Sequence, residues 1–195
     1  MEWHDHSKDM PEGVHAILSP SDYHWINYDD DKLIERKTTK DAATKGTKLH
    51  EIAKGLIEEN IKLPRSTKTL NMYVNDAIGF KLRPEQGIKY SEYCFGRADA
   101  MDFKEKQSLL RIHDLKTGIK VPAKLTQLEI YAAIWCLEYD VRPKDIDIEL
   151  RIYQFDDILI GNPGPDLIVS HMEQIIHATE LYRRLDSSRG GISHA

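Results

Sequence analysis

The apolar positions change period several times along the chain, and each change marks an element. From residue 41 to 61, Leu49, Ile52, Ala53, Leu56 and Ile57 recur at helical spacing and predict an amphipathic helix. Pro64 follows it, and a second helix is expected over about 67–80. The period then shortens. IKYSEYCF (88–95), RADAMDF (97–103) and LLRIHDLK (109–116) read as strands, the last two joined by KEKQS as an antiparallel hairpin. AKLTQLEIYAAIWCLEY (123–139) predicts a helix. IDIELRIYQ (146–154) alternates, with Ile146, Ile148, Leu150 and Ile152 on one face and acids and Arg151 on the other. Asn162, Pro163, Gly164 and Pro165 make a loop, and a last helix is expected from Asp166 to Leu185.

The ends carry less pattern. Residues 1–30 are expected to be irregular, broken by Pro11, Gly13 and Pro20, with Ser21 and Asp22 placed to cap a short helix in LSPSDYHWINY. Residues 187–195 are expected to form a frayed tail. The order of elements implies one α/β or α+β domain over 1–195, a mixed sheet flanked by helices.

Composition narrows the class. At 41% hydrophobic and 30% charged residues, the chain suits a globular domain. No apolar run is long enough to span a membrane, and the N-terminus lacks the basic start and apolar stretch of a secretory signal. Cys94 and Cys136 stand far apart without CxxC context, which argues against a disulfide framework or zinc knuckle and for a reducing, cytoplasmic setting. The net charge of -5 disfavours a protein that coats nucleic acid non-specifically. Between Lys32 and Lys68, however, ten Lys or Arg face five acids. That run is either a solvated helix face or a wall that tracks phosphates.

The chemistry centres on Asp114-Leu115-Lys116. Residues two apart on a strand project to the same side, so Asp114 and Lys116 share a face while Leu115 points to the core. A carboxylate can hold a divalent cation through oxygen, and a neighbouring amine can orient an attacking water. The tripeptide alone is commonly a surface ion pair. Its context matters more. Asp99 lies on the preceding strand, and the hairpin would set two carboxylates side by side, a destabilising arrangement unless a cation sits between them. Gln127 and Tyr131, four apart, share a face of the next helix. His50, on the first long helix, is a competent ligand for manganese, although a lone helical His is more often structural. His4 and His6 are expected to sit in a loose terminus. Trp25, Trp135 and Cys136 are expected to pack in the core.

Taken in order, GTKLHEIA (46–53), FGRADAMDF (95–103), IHDLKTG (112–118) and QLEIY (127–131) resemble the successive motifs of RecB-like nucleases of the PD-(D/E)XK superfamily, closest to phage-type exonucleases. The resemblance covers about residues 18–185. It implies a restriction-endonuclease-like core and hydrolysis of DNA from its ends, in recombination or repair. It implies His50, Asp99 and Asp114 as ligands of one or two Mg²⁺ or Mn²⁺ ions, with the Leu115 carbonyl. Lys116 would be the catalytic lysine, and Gln127 and Tyr131 would position it or the DNA. A further acid is expected on the strand before Gly96; Glu85 and Glu92 are both candidates, Glu85 preferred. Many relatives hold an iron–sulfur cluster on four cysteines that this chain lacks, so none is expected. DNA is the implied partner, with a single-strand annealing or single-strand-binding protein and a homo-oligomer beside it. The alternatives are a structure- or sequence-specific endonuclease with the same core, or a non-catalytic nucleic-acid-binding subunit.

Overall fold

The computed structural model describes residues 3–6, 16–39, 48–116 and 122–190. A short 3-10 helix, Pro20–Asn27, starts directly after Ser19, ahead of the expected caps. Asp22 does not cap it; its carboxylate accepts a hydrogen bond from Arg36 Nη2 at 2.8 Å. Trp25 is fully buried and donates its indole N–H to the Ser19 carbonyl. Helix α1, Asp30–Thr39, was not anticipated. Asp29 caps it by accepting the Lys32 N–H at 3.0 Å, Asp30 and Asp31 fill its first turn, and Arg36 and Lys37 its last, all favourable to the helix dipole. Leu33 is its one buried side chain among those described, so it writes no apolar stripe.

Helix α2 spans Lys48–Glu58, and the expected start of that helix at 41–47 lies outside the described residues. Asn60, at φ 55°, stops it in the left-handed conformation that Asn tolerates. Ala53 and Ile57 turn inward, but Ile52, expected on the same stripe, is exposed. The contact face is narrower than the run of apolar residues. Helix α3 is Thr69–Gly79, close to expectation.

Five strands follow: β1 Arg83–Ser91, β2 Cys94–Lys104, β3 Leu109–Leu115, then, after helix α4 (Thr126–Glu138), β4 Asp147–Gln154 and β5 Asp157–Gly161. They form one sheet in the order β1-β2-β3-β4-β5. Only β3 and β4 run parallel, because α4 carries the chain across between them; the other neighbours are antiparallel. The hairpin of β2 and β3 is as the sequence implied.

Two boundaries differ. The expected strand 88–95 joins two, because the chain turns at Glu92-Tyr93 and Cys94 already pairs back with Ser91. A run of aromatic, strand-like residues passes through that turn and hides it. Upstream, Pro84 and Gly87 concealed the start of β1; its place at the sheet edge is where proline is tolerated. Strand β5 was also missed. Helix α5, Pro165–Gly190, runs past Leu185, so 187–190 are helical rather than frayed.

The architecture is α+β, a five-stranded mixed sheet flanked by helices. Alternation along β3 and β4 feeds two cores. Leu110, Ile112, Ile148, Leu150 and Ile152 pack with Leu128 and Trp135 under α4, and α5 covers α4 from outside. Leu115 and Tyr153 face the other way, to Ala53, Ile57, Tyr73 and Val74 of α2 and α3. Cys94 and Cys136 are buried and free. Among the described residues no helix is long and apolar enough to cross a membrane.

Candidate active site

The site forms where the middle of the sheet comes apart. Strands β2 and β3 pair from Lys104 and Leu109 up to Ala100 and His113. One rung further stand Asp99 and Asp114, and there the backbone pairing ends. The Leu115 N–H turns to a side chain, donating to Asp99 Oδ2 at 2.8 Å. The Lys116 N–H stays with β4, on the Tyr153 carbonyl. On the other side of β2, Pro84 pairs with Ala100 and Gln86 with Ala98, which leaves Glu85 across from Asp99 but unpaired, at φ 50°. The pleat is disturbed here too. Ala98 and Ala100, two apart, lie in opposite cores. Glu85, Asp99 and Asp114 thus stand at one level on three adjacent strands.

Helix α2 adds His50 from its first turn. Its Nδ1 lies 3.3 Å from Asp99 Oδ2. The potential ligand atoms of His50, Glu85 and Asp99 all fall within 4.8 Å of one another. Glu92, the other candidate acid, lies apart, in the β1–β2 turn and bonded to Arg183 at 2.9 and 3.0 Å.

Asp114 and Lys116 project together, as strand alternation requires. Lys116 Nζ lies 3.1 Å from Asp114 Oδ1 and 3.0 Å from Oδ2. Asp114 is 2% exposed, and its Oδ2 accepts no well-aligned hydrogen bond from any described residue. Helix α4 supplies the rest. Gln127 Oε1 accepts from Lys116 Nζ at 2.7 Å, and the same side chain bonds the Tyr131 phenol. Tyr131 donates to the Arg97 carbonyl, and its ring lies against Gly96, where a Cβ would sit 3.1 Å from it. The Leu115 side chain is buried.

The electrostatics are those of an over-acidic pocket. Burial, and then Asp99, push the Asp114 carboxyl up to about 6 against the pull of Lys116. Burial and Asp99 also raise Glu85, although His50, Lys54 and Arg97 oppose the shift. The hydrogen bond to Asp99 raises His50. Burial first, then the acids, hold the phenols of Tyr73 and Tyr131 well above their ordinary range. Burial and like charge together outweigh the nearby cations. Three carboxylates and an imidazole make an oxygen-rich set with one nitrogen ligand, which suits Mg²⁺ or Mn²⁺.

The sequence did not single out Tyr73, whose ring comes from α3 to within electrostatic range of all three acids. Nothing in its helical stripe distinguishes it from a core residue. Nor did it assign roles to Lys54 or Arg97. Thr117 and Gly118 of the IHDLKTG segment lie outside the described residues. No protein-family model matches the chain, and no curated protein matches it at a significant level.

Proposed function

We propose that this chain is a divalent-metal-dependent deoxyribonuclease of the PD-(D/E)XK class, RecB-like and of phage-exonuclease type. The observation that carries the reading is Asp114. Its carboxylate is buried, raised by burial and by a second acid, and held beside an amine that α4 anchors. His50, Glu85, Asp99 and Asp114, with the Leu115 carbonyl, would hold one or two Mg²⁺ or Mn²⁺ ions. Such an ion supplies Lewis acidity to the scissile phosphate and lowers the pKa of a bound water.

The protein's own groups do the rest. Lys116 Nζ, tethered by Gln127 and Asp114, orients the attacking water and offsets negative charge as the phosphorus becomes pentacoordinate and the leaving oxygen departs. Gln127 and Asp114 together fix the position of that amine, and Tyr131 fixes Gln127. Without an ion, the His50 ring is held against Asp99, which keeps both groups at the place where they would ligate. From the basic run, the exposed Lys62, Arg65 and Lys68 would track the backbone of DNA, whereas Arg36 and Lys37 are paired with Asp22 and Asp186. The family resemblance adds end-wise digestion in recombination or repair in the cytoplasm, a single-strand annealing or single-strand-binding partner, and a homo-oligomer around the duplex.

Linear and covalently closed circular duplex, incubated with Mg²⁺ or Mn²⁺ and with EDTA, test the reading. Linear DNA is expected to shorten from its ends, circles to persist, and EDTA to stop the reaction. Circles cut as fast as linear DNA would make the chain an endonuclease. DNA binding without cleavage of either would make it a non-catalytic subunit.

A further inference from the structure

The N-terminal segment, expected to be loose, is docked. Trp3 packs edge-on against Tyr139 with ring centroids 5.8 Å apart, and Arg83 lies over the Trp3 ring. The His4 ring stacks on Tyr139 at 4.4 Å, and its backbone N–H donates to the Tyr139 hydroxyl at 3.0 Å. This brings His4 and His6, which share one side of the extended segment, onto Glu138, the last residue of α4.

The contact has the form of a ligand set. His4 Nδ1 lies 3.0 Å from Glu138 Oε1, and His6 Nε2 contacts the same oxygen. All three ligand atoms lie within 4.8 Å of one another. Glu138 is buried, its side chain 4% exposed, and its other oxygen is occupied by the Lys89 N–H at 2.7 Å. The carboxylate is therefore locked, with Oε1 turned to the two rings. Two imidazoles crowded on one carboxylate oxygen are better served by a cation that all three donors face. The C-terminal end of α4 adds negative potential there.

We propose that His4, His6 and Glu138 form a second metal site, for Zn²⁺ or a related borderline cation, separate from the acidic pocket. Two imidazoles and one carboxylate favour zinc-type ions over magnesium, and three protein ligands leave room for water. The site pins the N-terminal segment to the end of α4 and to β1. Trp3, His4 and His6 line a cavity of about 300 Å³ whose wall also includes Glu85 and Arg97. Metal at this site therefore fixes one wall of a cavity that Glu85 also borders. The inference does not depend on the nuclease reading.

The test uses the full-length, untagged chain carrying Asp99→Asn and Asp114→Asn, which disables the acidic pocket. Co²⁺ is titrated and followed by its visible d–d absorption, with Zn²⁺ as competitor, and thermal unfolding is recorded with and without Zn²⁺. One equivalent of Co²⁺ is expected, displaced by Zn²⁺, with a Zn²⁺-dependent rise in Tm. Adding His6→Ala, or His4→Phe, which keeps the stacking on Tyr139, should weaken Co²⁺ binding at least about tenfold and abolish the rise. No Co²⁺ bound in the parent variant overturns the proposal. So does unchanged binding after either histidine substitution, which would leave only hydrogen bonds at Glu138.

Discussion

At the scale of single residues, Glu85 and Asp114 are both held at a cost. Glu85 sits at φ 50°, a conformation that costs an L-residue with a Cβ about 1–2 kcal/mol. It is also half-buried beside Asp99, which raises its pKa. Strain and buried charge at one position are features that folding alone would remove. Glu85→Asn accepts the left-handed backbone and removes the charge. It is expected to raise the metal-free Tm by about 2–4 °C while weakening divalent-ion binding about tenfold or more. Differential scanning fluorimetry and Mn²⁺ titration check both halves. Asp114 gives a pH signature. Its folded pKa, about 6, lies above the ordinary 3.8. Between those values the native state holds a proton that the unfolded chain has lost, so stability falls as pH rises through that window and then levels off. Metal-free protein is expected to lose stability over this range relative to Asp114→Asn, and added Mg²⁺ to offset the loss. A stability profile identical in the two proteins would contradict this.

At the scale of elements, the site depends on how closely α4 approaches β2. Gly96 permits it: a Cβ there would meet Tyr131 and Pro20, each at 3.1 Å. Neither can yield easily, since Tyr131 is buried and anchored on Arg97, and Pro20 is a buried ring. Gly96→Ala is expected to cost about 1–3 kcal/mol and to reduce cleavage by shifting Gln127 off Lys116. Urea unfolding together with a cleavage assay measures the two effects. Elements also mark what could be read beforehand. An apolar stripe predicted α2, the apolar run 123–139 predicted α4, alternation predicted β4, and the polar KEKQS turn predicted the hairpin that brings Asp99 level with Asp114. Helix α1 and strand β5 escaped because they bury little: Leu159 and Ile160 stay exposed, and the turn before β5 places Phe155 and Asp156 at positive φ without glycine or asparagine to announce it. The choice of Glu85 over Glu92 could not be made from spacing. It follows from a tight turn at Glu92-Tyr93 and a left-handed residue inside β1, neither of which has a residue signature. The docking of His4 and His6 was hidden for a related reason, since their partner, Glu138, is distant in the chain.

At the scale of the whole molecule, the sheet is continuous below the site and opens at it. Two cores, one under α4 and one under α2 and α3, hold the three central strands rigid up to Ala100 and His113. Beyond that rung the Leu115 N–H turns to the Asp99 carboxylate, and helices on opposite faces deliver His50 and Gln127 to the same gap. The fold gathers Glu85, Asp99, Asp114 and His50 at the end of the β2–β3 pairing. The most direct test compares Lys116→Ala with the parent chain on end-labelled linear duplex in Mg²⁺, alongside Mn²⁺ binding and DNA binding. The account predicts that cleavage falls at least about 10²–10³-fold while both binding measurements survive. Undiminished cleavage by Lys116→Ala in a preparation free of other nucleases would contradict it.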